Sequence, residues 1–250
     1  DKCKRWEIPV GYSREGLVKH NTDHIPHLVV AGTTRYGKTV FLKNVITTLT
    51  LNNPKNVRFT LIDLKGGLAF QRFKDLPQVN GVAKNVSEAK ETLERLQSEM
   101  NERMESFLAQ GYEDVNESNI RERHFIIVDE AAQLASASIK DKTEKADRMA
   151  CENVISEIAR IGGGLGYRII FATQYPTADT LPRQVKQNCD ARICFRLQTS
   201  TASNVVLDEN GAEELPHVKG RAIYLTDKKQ IIQTPFITND YIDERLTPLI

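Results

Sequence analysis

The chain has 250 residues, 40% hydrophobic and 27% charged, and its 34 basic and 33 acidic side chains leave a net charge of +1. These values describe an ordinary globular protein with material for a sizeable core, and they exclude nucleic-acid binding through an overall field, leaving any such binding to a local surface. No run approaches the roughly 18 consecutive apolar residues of a membrane span, Asp1 to Arg5 lead into no signal-peptide core, and Cys3, Cys151, Cys189 and Cys194 lack Cys-x-x-Cys or zinc spacing, so the cysteines read as structural and the setting as reduced and cytoplasmic.

Trp6-Glu7-Ile8-Pro9-Val10-Gly11 alternates, and Gly16-Leu17-Val18 follows a turn at Tyr12 to Gly16, which predicts a hairpin. It forms an N-terminal extension over residues 1–24, ahead of a single domain over residues 25–250, and Trp6 fits packing better than base stacking. His27 to Ala31 is a short β-branched run suited to a buried strand, and Val40 to Ile46 opens a helix. Between them, Gly32-Thr33-Thr34-Arg35-Tyr36-Gly37-Lys38-Thr39 fits G-x-x-x-x-G-K-[ST] at every fixed position.

Glycines let this loop curl so that its N–H groups point at phosphate oxygens, and the following helix aims its positive end at the same anion. Gly32 to Val40 are therefore the candidate ATP-binding residues, with Lys38 facing the β- and γ-phosphates and the Thr39 hydroxyl a candidate Mg²⁺ ligand.

Val57 to Asp63 is a second strand, followed by the turn Lys65-Gly66-Gly67, and strand, helix and strand within about forty residues predict a βαβ unit with parallel pairing. Asp63 suits either a catalytic strand end or a turn carboxylate beside Lys65. A long amphipathic helix is predicted over Ser87 to Gln110, opened by an Asn85–Glu88 capping box and stopped by Gly111.

His124 to Glu130 is a continuous apolar strand ending in two carboxylates, the pattern that holds Mg²⁺ opposite a phosphate loop. Alternation along the strand would turn Asp129 toward the metal and Glu130 to the other side, toward the attacking water. Ser136 to Met149 reads as a solvated stretch, Cys151 to Ile161 as a helix, Gly162 to Gly166 as a bend, and Arg168 to Gln174 as a strand ended by Pro176. Gln174 at that strand end is placed to sense a γ-phosphate or orient water. The remainder predicts a strand at Ala191 to Leu197, a helix at Thr201 to Leu207 and strands at Arg221 to Leu225 and Gln230 to Gln233, with no repeat or composition break.

Beyond the loop, Pro26-His27 before the first core strand, Asp63-Leu64-Lys65, Glu99-Met100-Asn101-Glu102-Arg103, Asp129-Glu130, Ala172-Thr173-Gln174-Tyr175-Pro176, Gly211-Ala212-Glu213 and Gly220 ahead of its strand form a specific set. In these residues the chain resembles the motor domain of the FtsK/SpoIIIE family of DNA translocases from about Gly11 to Tyr224, and Tyr175 with Leu215-Pro216-His217 resembles its conjugative coupling-protein branch. Gly163 stands where many relatives carry an arginine, so a trans-acting arginine cannot be carried over by position.

The resemblance implies a RecA-like α/β P-loop NTPase domain, with a mostly parallel central sheet, helices on both faces and assembly into a hexameric ring. Any membrane anchor would lie in segments outside this sequence. The expected activity is ATP hydrolysis driving DNA translocation: Lys38 and the loop amides hold phosphates, Thr39 and Asp129 hold Mg²⁺, Glu130 activates water, and Gln174 reports the γ-phosphate. One of Arg160, Arg168, Arg192 and Arg196, with Arg196 the favoured catalytic candidate, would reach a neighbour's site. Sequence-independent DNA contacts are expected from pore loops at Lys140 to Arg148 and Arg183 to Lys186. The alternatives are a secretion-type motor of the same family moving protein, and a non-hydrolysing nucleotide-binding assembly module.

Overall fold

A computed structural model describes residues 3–250. In chain order its main elements are β1 (Glu7–Ser13), β2 (Gly16–Asn21), β3 (Leu28–Ala31), α1 (Lys38–Asn52), β4 (Val57–Asp63), β5 (Val79–Ala83), α2 (Val86–Gln110) and β6 (Arg123–Asp129). They continue as α3 (Lys142–Glu157), β7 (Tyr167–Thr173), α4 (Arg183–Asn188), β8 (Ala191–Phe195), α5 (Ser200–Leu207), β9 (Arg221–Leu225), β10 (Lys229–Gln233) and α6 (Asn239–Leu246).

One ten-stranded sheet in the order β2-β1-β10-β9-β8-β3-β7-β6-β4-β5 runs through the molecule. The strands from β8 to β5 pair in parallel, and those from β8 to β2 are antiparallel. The parallel strands are covered on both faces, which is why they read as unbroken apolar runs rather than as alternating ones. Leu28 and Val30 of β3, with Phe125 and Ile127 of β6, face the layer that holds Phe41, Val45 and Leu49 of α1 and Ile242 of α6. Val29, Ala31, Ile126 and Val128 face the layer built by α2, α3, α4 and α5, including Leu93, Met100, Ile155, Val185 and Val206. The α/β architecture with helices on both faces thus stands as expected.

Helix α2 begins and ends on the predicted signals. The Asn85 side chain accepts from the Glu88 N–H at 3.0 Å, and Glu88 reaches back to the Lys84 N–H at 2.8 Å. Gly111 closes the helix at φ 71°, a left-handed turn that glycine adopts without a Cβ penalty.

Several expectations need correction. Strands β3 and β4 run parallel but are not partners, because β6 and β7 are inserted between them. The helix expected from Cys151 starts at Lys142, where Asp141 caps it by accepting from the Glu144 N–H at 2.8 Å. Its polar first turns hid it. The strand expected to reach Leu197 ends at Phe195, and β5 and α6 were not anticipated, being short and weakly patterned. The predicted hairpin forms, but β1 pairs with β10, and Trp6, Ile8 and Val10 are buried in the same layer as α1. Trp6 packs 6.1 Å from Phe125, ring centre to ring centre.

Candidate active site

The glycine loop joins the carboxyl end of β3 to the first turn of α1, at the edge of the sheet where open α/β folds place ligands. Its curl is held from three sides: the Gly32 N–H donates to the Thr173 carbonyl (3.2 Å), the Thr33 N–H to the Arg196 carbonyl (3.1 Å), and the Gly220 N–H to the Tyr36 carbonyl (2.8 Å). Both motif glycines are sterically required. A Cβ on Gly32 would lie 2.6 Å from Phe195 Cβ, and Gly37, at φ 119°, has Phe195 and Gly220 at 3.1 and 3.2 Å from the position of a Cβ.

Two observations test this cradle for a phosphate. Helix α1 carries no side-chain cap and no acidic residue in its first turn, so its leading N–H groups are left to an outside anion. The loop also walls a cavity of about 370 Å³, within the range of small-ligand sites, to which Thr33, Lys38, Thr39 and Gln174 contribute.

Lys38 is only 3% exposed. Its ammonium donates to Asp129 Oδ1 and, at 3.1 Å, to Glu130 Oε1. Lys65 approaches Glu130 from the solvent side at 3.4 Å. The expectation that strand alternation sends the two carboxylates to opposite sides is therefore corrected: β6 ends at Asp129, and Glu130 turns to φ 56°, which swings its carboxylate back to the same lysine. The Glu130 N–H donates to Asp129 Oδ1 at 2.9 Å, tightening this corner.

Gln174, one residue beyond β7, accepts from the Thr34 hydroxyl at 2.7 Å, so the strand-end amide is tied directly to the loop. Thr39 and Asp129 offer a hydroxyl and a carboxylate. That pair of hard oxygen donors suits Mg²⁺, which keeps waters and shares phosphate oxygens rather than filling an all-protein cage, so the donor set fits this ion. Asp63 is a turn carboxylate, accepting from the Lys65 and Ala69 N–H groups at 3.1 and 2.8 Å.

The four arginines separate clearly. Arg168 is buried and bonded to Asp23 and the Gly163 carbonyl, at 2.8 and 2.7 Å, so it faces no neighbour. Arg192 donates to the Val206 carbonyl (3.0 Å) and to Asp208 (2.5 Å), Arg196 donates to the Leu215 carbonyl outside the cavity, and Arg160 is exposed. At Gly163 a Cβ would meet Pro26 at 2.9 Å, which excludes an arginine there without movement of the chain. The segments expected as basic loops are largely helical: Lys142 to Arg148 opens α3, and Arg183 to Lys186 opens α4. Within them Arg148 is paired with Glu144, Asp147 with Lys90 and Lys186 with Asp208, while Arg183 is exposed.

Sequence patterns missed the far wall of the cavity, formed by Lys219, Gly220, and Gln233 to Phe236. It comes from the segments flanking β9 and β10, nearly two hundred residues downstream of the loop, and no local motif marks it. They also missed the bond between the Tyr36 hydroxyl and His217 Nδ1, at 2.6 Å, which links the loop tip to that wall.

A model of the FtsK/SpoIIIE family matches residues 5–124. The chain is 30% identical to the DNA translocase FtsK of Leptospira interrogans over 96% of its own length and 26% of that protein's, and 29% identical to the DNA translocase FtsK of Lactococcus lactis subsp. cremoris over 85% and 29%. It thus spans under a third of the length of these curated relatives. Among solved structures it resembles the pCW3 conjugation coupling protein TcpA, a monomer with ATPγS, with a TM-score of 0.87 and 25% identity over 99% of this chain and 71% of that one. It shares its fold with the cytoplasmic domain of the type VII secretion ATPase EccC of Thermomonospora curvata, with a TM-score of 0.81 and 22% identity over 100% of this chain and 32% of that one.

Proposed function

We propose that this chain, which a model of the FtsK/SpoIIIE family matches over residues 5–124, is the ATP-hydrolysing motor domain of a DNA translocase that works as a ring of identical subunits. The observation that carries the reading is the buried Lys38 held between Asp129 and Glu130 where the glycine loop leads into α1, a helix whose first N–H groups no side chain caps. A cation in that position turns from its carboxylates to the phosphates when ATP enters, which leaves both carboxylates for catalysis.

In the proposed mechanism Lys38 and the loop amides grip the phosphates. Thr39 and Asp129 would hold Mg²⁺, which supplies charge neutralisation at the β- and γ-oxygens. Glu130, released from Lys38, accepts the proton of the attacking water as its oxygen bonds to the γ-phosphorus and the bond to the β-phosphate oxygen breaks. Gln174, coupled to Thr34 by its hydrogen bond, shifts with the loop and carries the nucleotide state to the segment that leads into α4.

DNA is favoured as cargo because relatives named as DNA translocases align over most of this chain, whereas the likeness to the secretion ATPase is one of fold. Arg183 on α4 is exposed for a phosphate contact. The test is ATP hydrolysis with and without DNA of arbitrary sequence: stimulation at low salt that fades steeply as salt is added supports the motor, and an unchanged rate at every salt concentration transfers the reading to protein cargo. In the same assay Arg196→Ala, Arg192→Ala and Arg160→Ala are each mixed with Lys38→Ala, and the arginine that completes a neighbour's site should recover part of the activity neither variant has alone, because each damages a different subunit's share of a joint site. No recovery in any mixture would place the whole site within one chain.

A further inference from the structure

The cavity beside the glycine loop has two unlike ends. One is the phosphate end, formed by Thr33, Lys38 and Thr39; the other is formed by Gln233 at the end of β10 and by Thr234, Pro235 and Phe236 just after it. Phe236 is 80% exposed, while most large apolar side chains of the chain lie in the two core layers. An aromatic ring left in water on the wall of a cavity of about 370 Å³ is a surface without a partner in the folded chain.

Two polar side chains beside it hold the wall together. The Gln233 amide donates to the Lys219 carbonyl at 2.8 Å and accepts from Arg221 Nε at 3.1 Å. The Thr234 hydroxyl donates to the Gly220 carbonyl at 3.1 Å, and the Thr234 N–H to the same carbonyl at 2.8 Å. This end of the cavity therefore offers an aromatic face and a proline ring, beside a glutamine and a threonine whose side chains already hold the backbone of the wall. The wall is fastened to the loop through the Gly220 N–H on the Tyr36 carbonyl and through the Tyr36–His217 bond, so the backbone that leads to the ring is held beside the phosphate cradle.

We propose that Phe236 is the stacking platform for the base of the bound nucleotide, and that the base is held by the face of this ring rather than by hydrogen bonds to its edge. The inference rests on the nucleotide-site reading above and adds the residue that recognises the other end of the same ligand. Stacking on a ring face accepts any purine, so the site distinguishes a nucleotide from a bare polyphosphate far more strongly than adenine from guanine.

The experiment is calorimetric binding of ATP, GTP and inorganic tripolyphosphate to the wild-type chain, to Phe236→Ala and to Phe236→Tyr. Phe236→Ala should weaken ATP and GTP about 10-fold and leave tripolyphosphate unchanged, while Phe236→Tyr keeps wild-type ATP affinity. Since the ring is exposed, its removal takes nothing from the core, and matching melting temperatures confirm that the fold is intact. Wild-type ATP affinity in Phe236→Ala overturns the platform, as does an equal loss of tripolyphosphate, which would mean the ring supports the loop instead. A more than 100-fold preference of the wild-type chain for ATP over GTP overturns reading by the ring face. Failure of the wild-type chain to bind either ATP or tripolyphosphate overturns the nucleotide site first, and the platform with it.

Discussion

Lys38, Asp129 and Glu130 form a close charged cluster, and all three are buried. A buried lysine that lost its partners would carry a large desolvation cost, so the two carboxylates hold it ready until an anion replaces them. Lys38→Ala should therefore weaken ATP binding sharply and leave Asp129 and Glu130 with only the half-exposed Lys65 as counter-charge, lowering the melting temperature as well. Glu130→Gln keeps the size and a hydrogen-bond acceptor for Lys38 but removes the proposed base. It should bind ATP normally and hydrolyse it about 10²- to 10⁴-fold more slowly, as read by ATP binding alongside steady-state turnover. Turnover at the wild-type rate would take Glu130 out of the mechanism.

At the scale of elements, the positioning of the site depends on where strands stop. Strand β6 stops one residue before Glu130, β7 one before Gln174 and β8 one before Arg196, and each following residue meets the glycine loop, through Lys38, through Thr34 and through the Thr33 N–H respectively. Helix α2 stands apart from this edge and braces the opposite face of the sheet through Leu93, Leu96 and Met100. Its start rests on one exposed cap, so Asn85→Ala should cost about 1 kcal/mol in chemical denaturation and leave ATP affinity unchanged. A change in affinity would show that α2 is coupled to the site across the sheet.

At the scale of the molecule, three histidines are locked neutral inside the sheet. Burial pushes His20 down to about 4, and His27 and His124 down to about 3. His27 Nδ1 accepts the Ile169 N–H at 3.1 Å, which requires the unprotonated nitrogen and helps hold β3 beside β7. In the unfolded chain these groups titrate near 6.5, so from pH 6.5 down toward 4 the unfolded state binds protons that the folded state refuses. Stability held at neutral pH is lost through that window, at up to about 1.4 kcal/mol per pH unit for each histidine. Denaturation midpoints should accordingly fall steeply between pH 6.5 and 5, and His27→Asn, if it folds, should flatten the slope by about a third; an unchanged slope would assign the acid sensitivity to other groups.

The sequence alone determined the glycine loop, the strand before it, the apolar strand that ends in Asp129, and the caps of the long helix, because each of these follows from chain-local chemistry: a conformation that needs glycine, an anion that needs N–H groups, a helix end that needs a side-chain acceptor. It also carried the α/β class, since strands covered on both faces must be apolar throughout. What it could not carry was set by residues far apart. The insertion of β6 and β7 between β3 and β4, the burial of Arg168 against Asp23, the left-handed turn that sends Glu130 back to Lys38, and the wall that brings Phe236 to the cavity all arise only once the sheet has assembled. Local pattern fixes what a segment is; which segments meet is decided by the packing of the whole sheet, and this site lies where they meet.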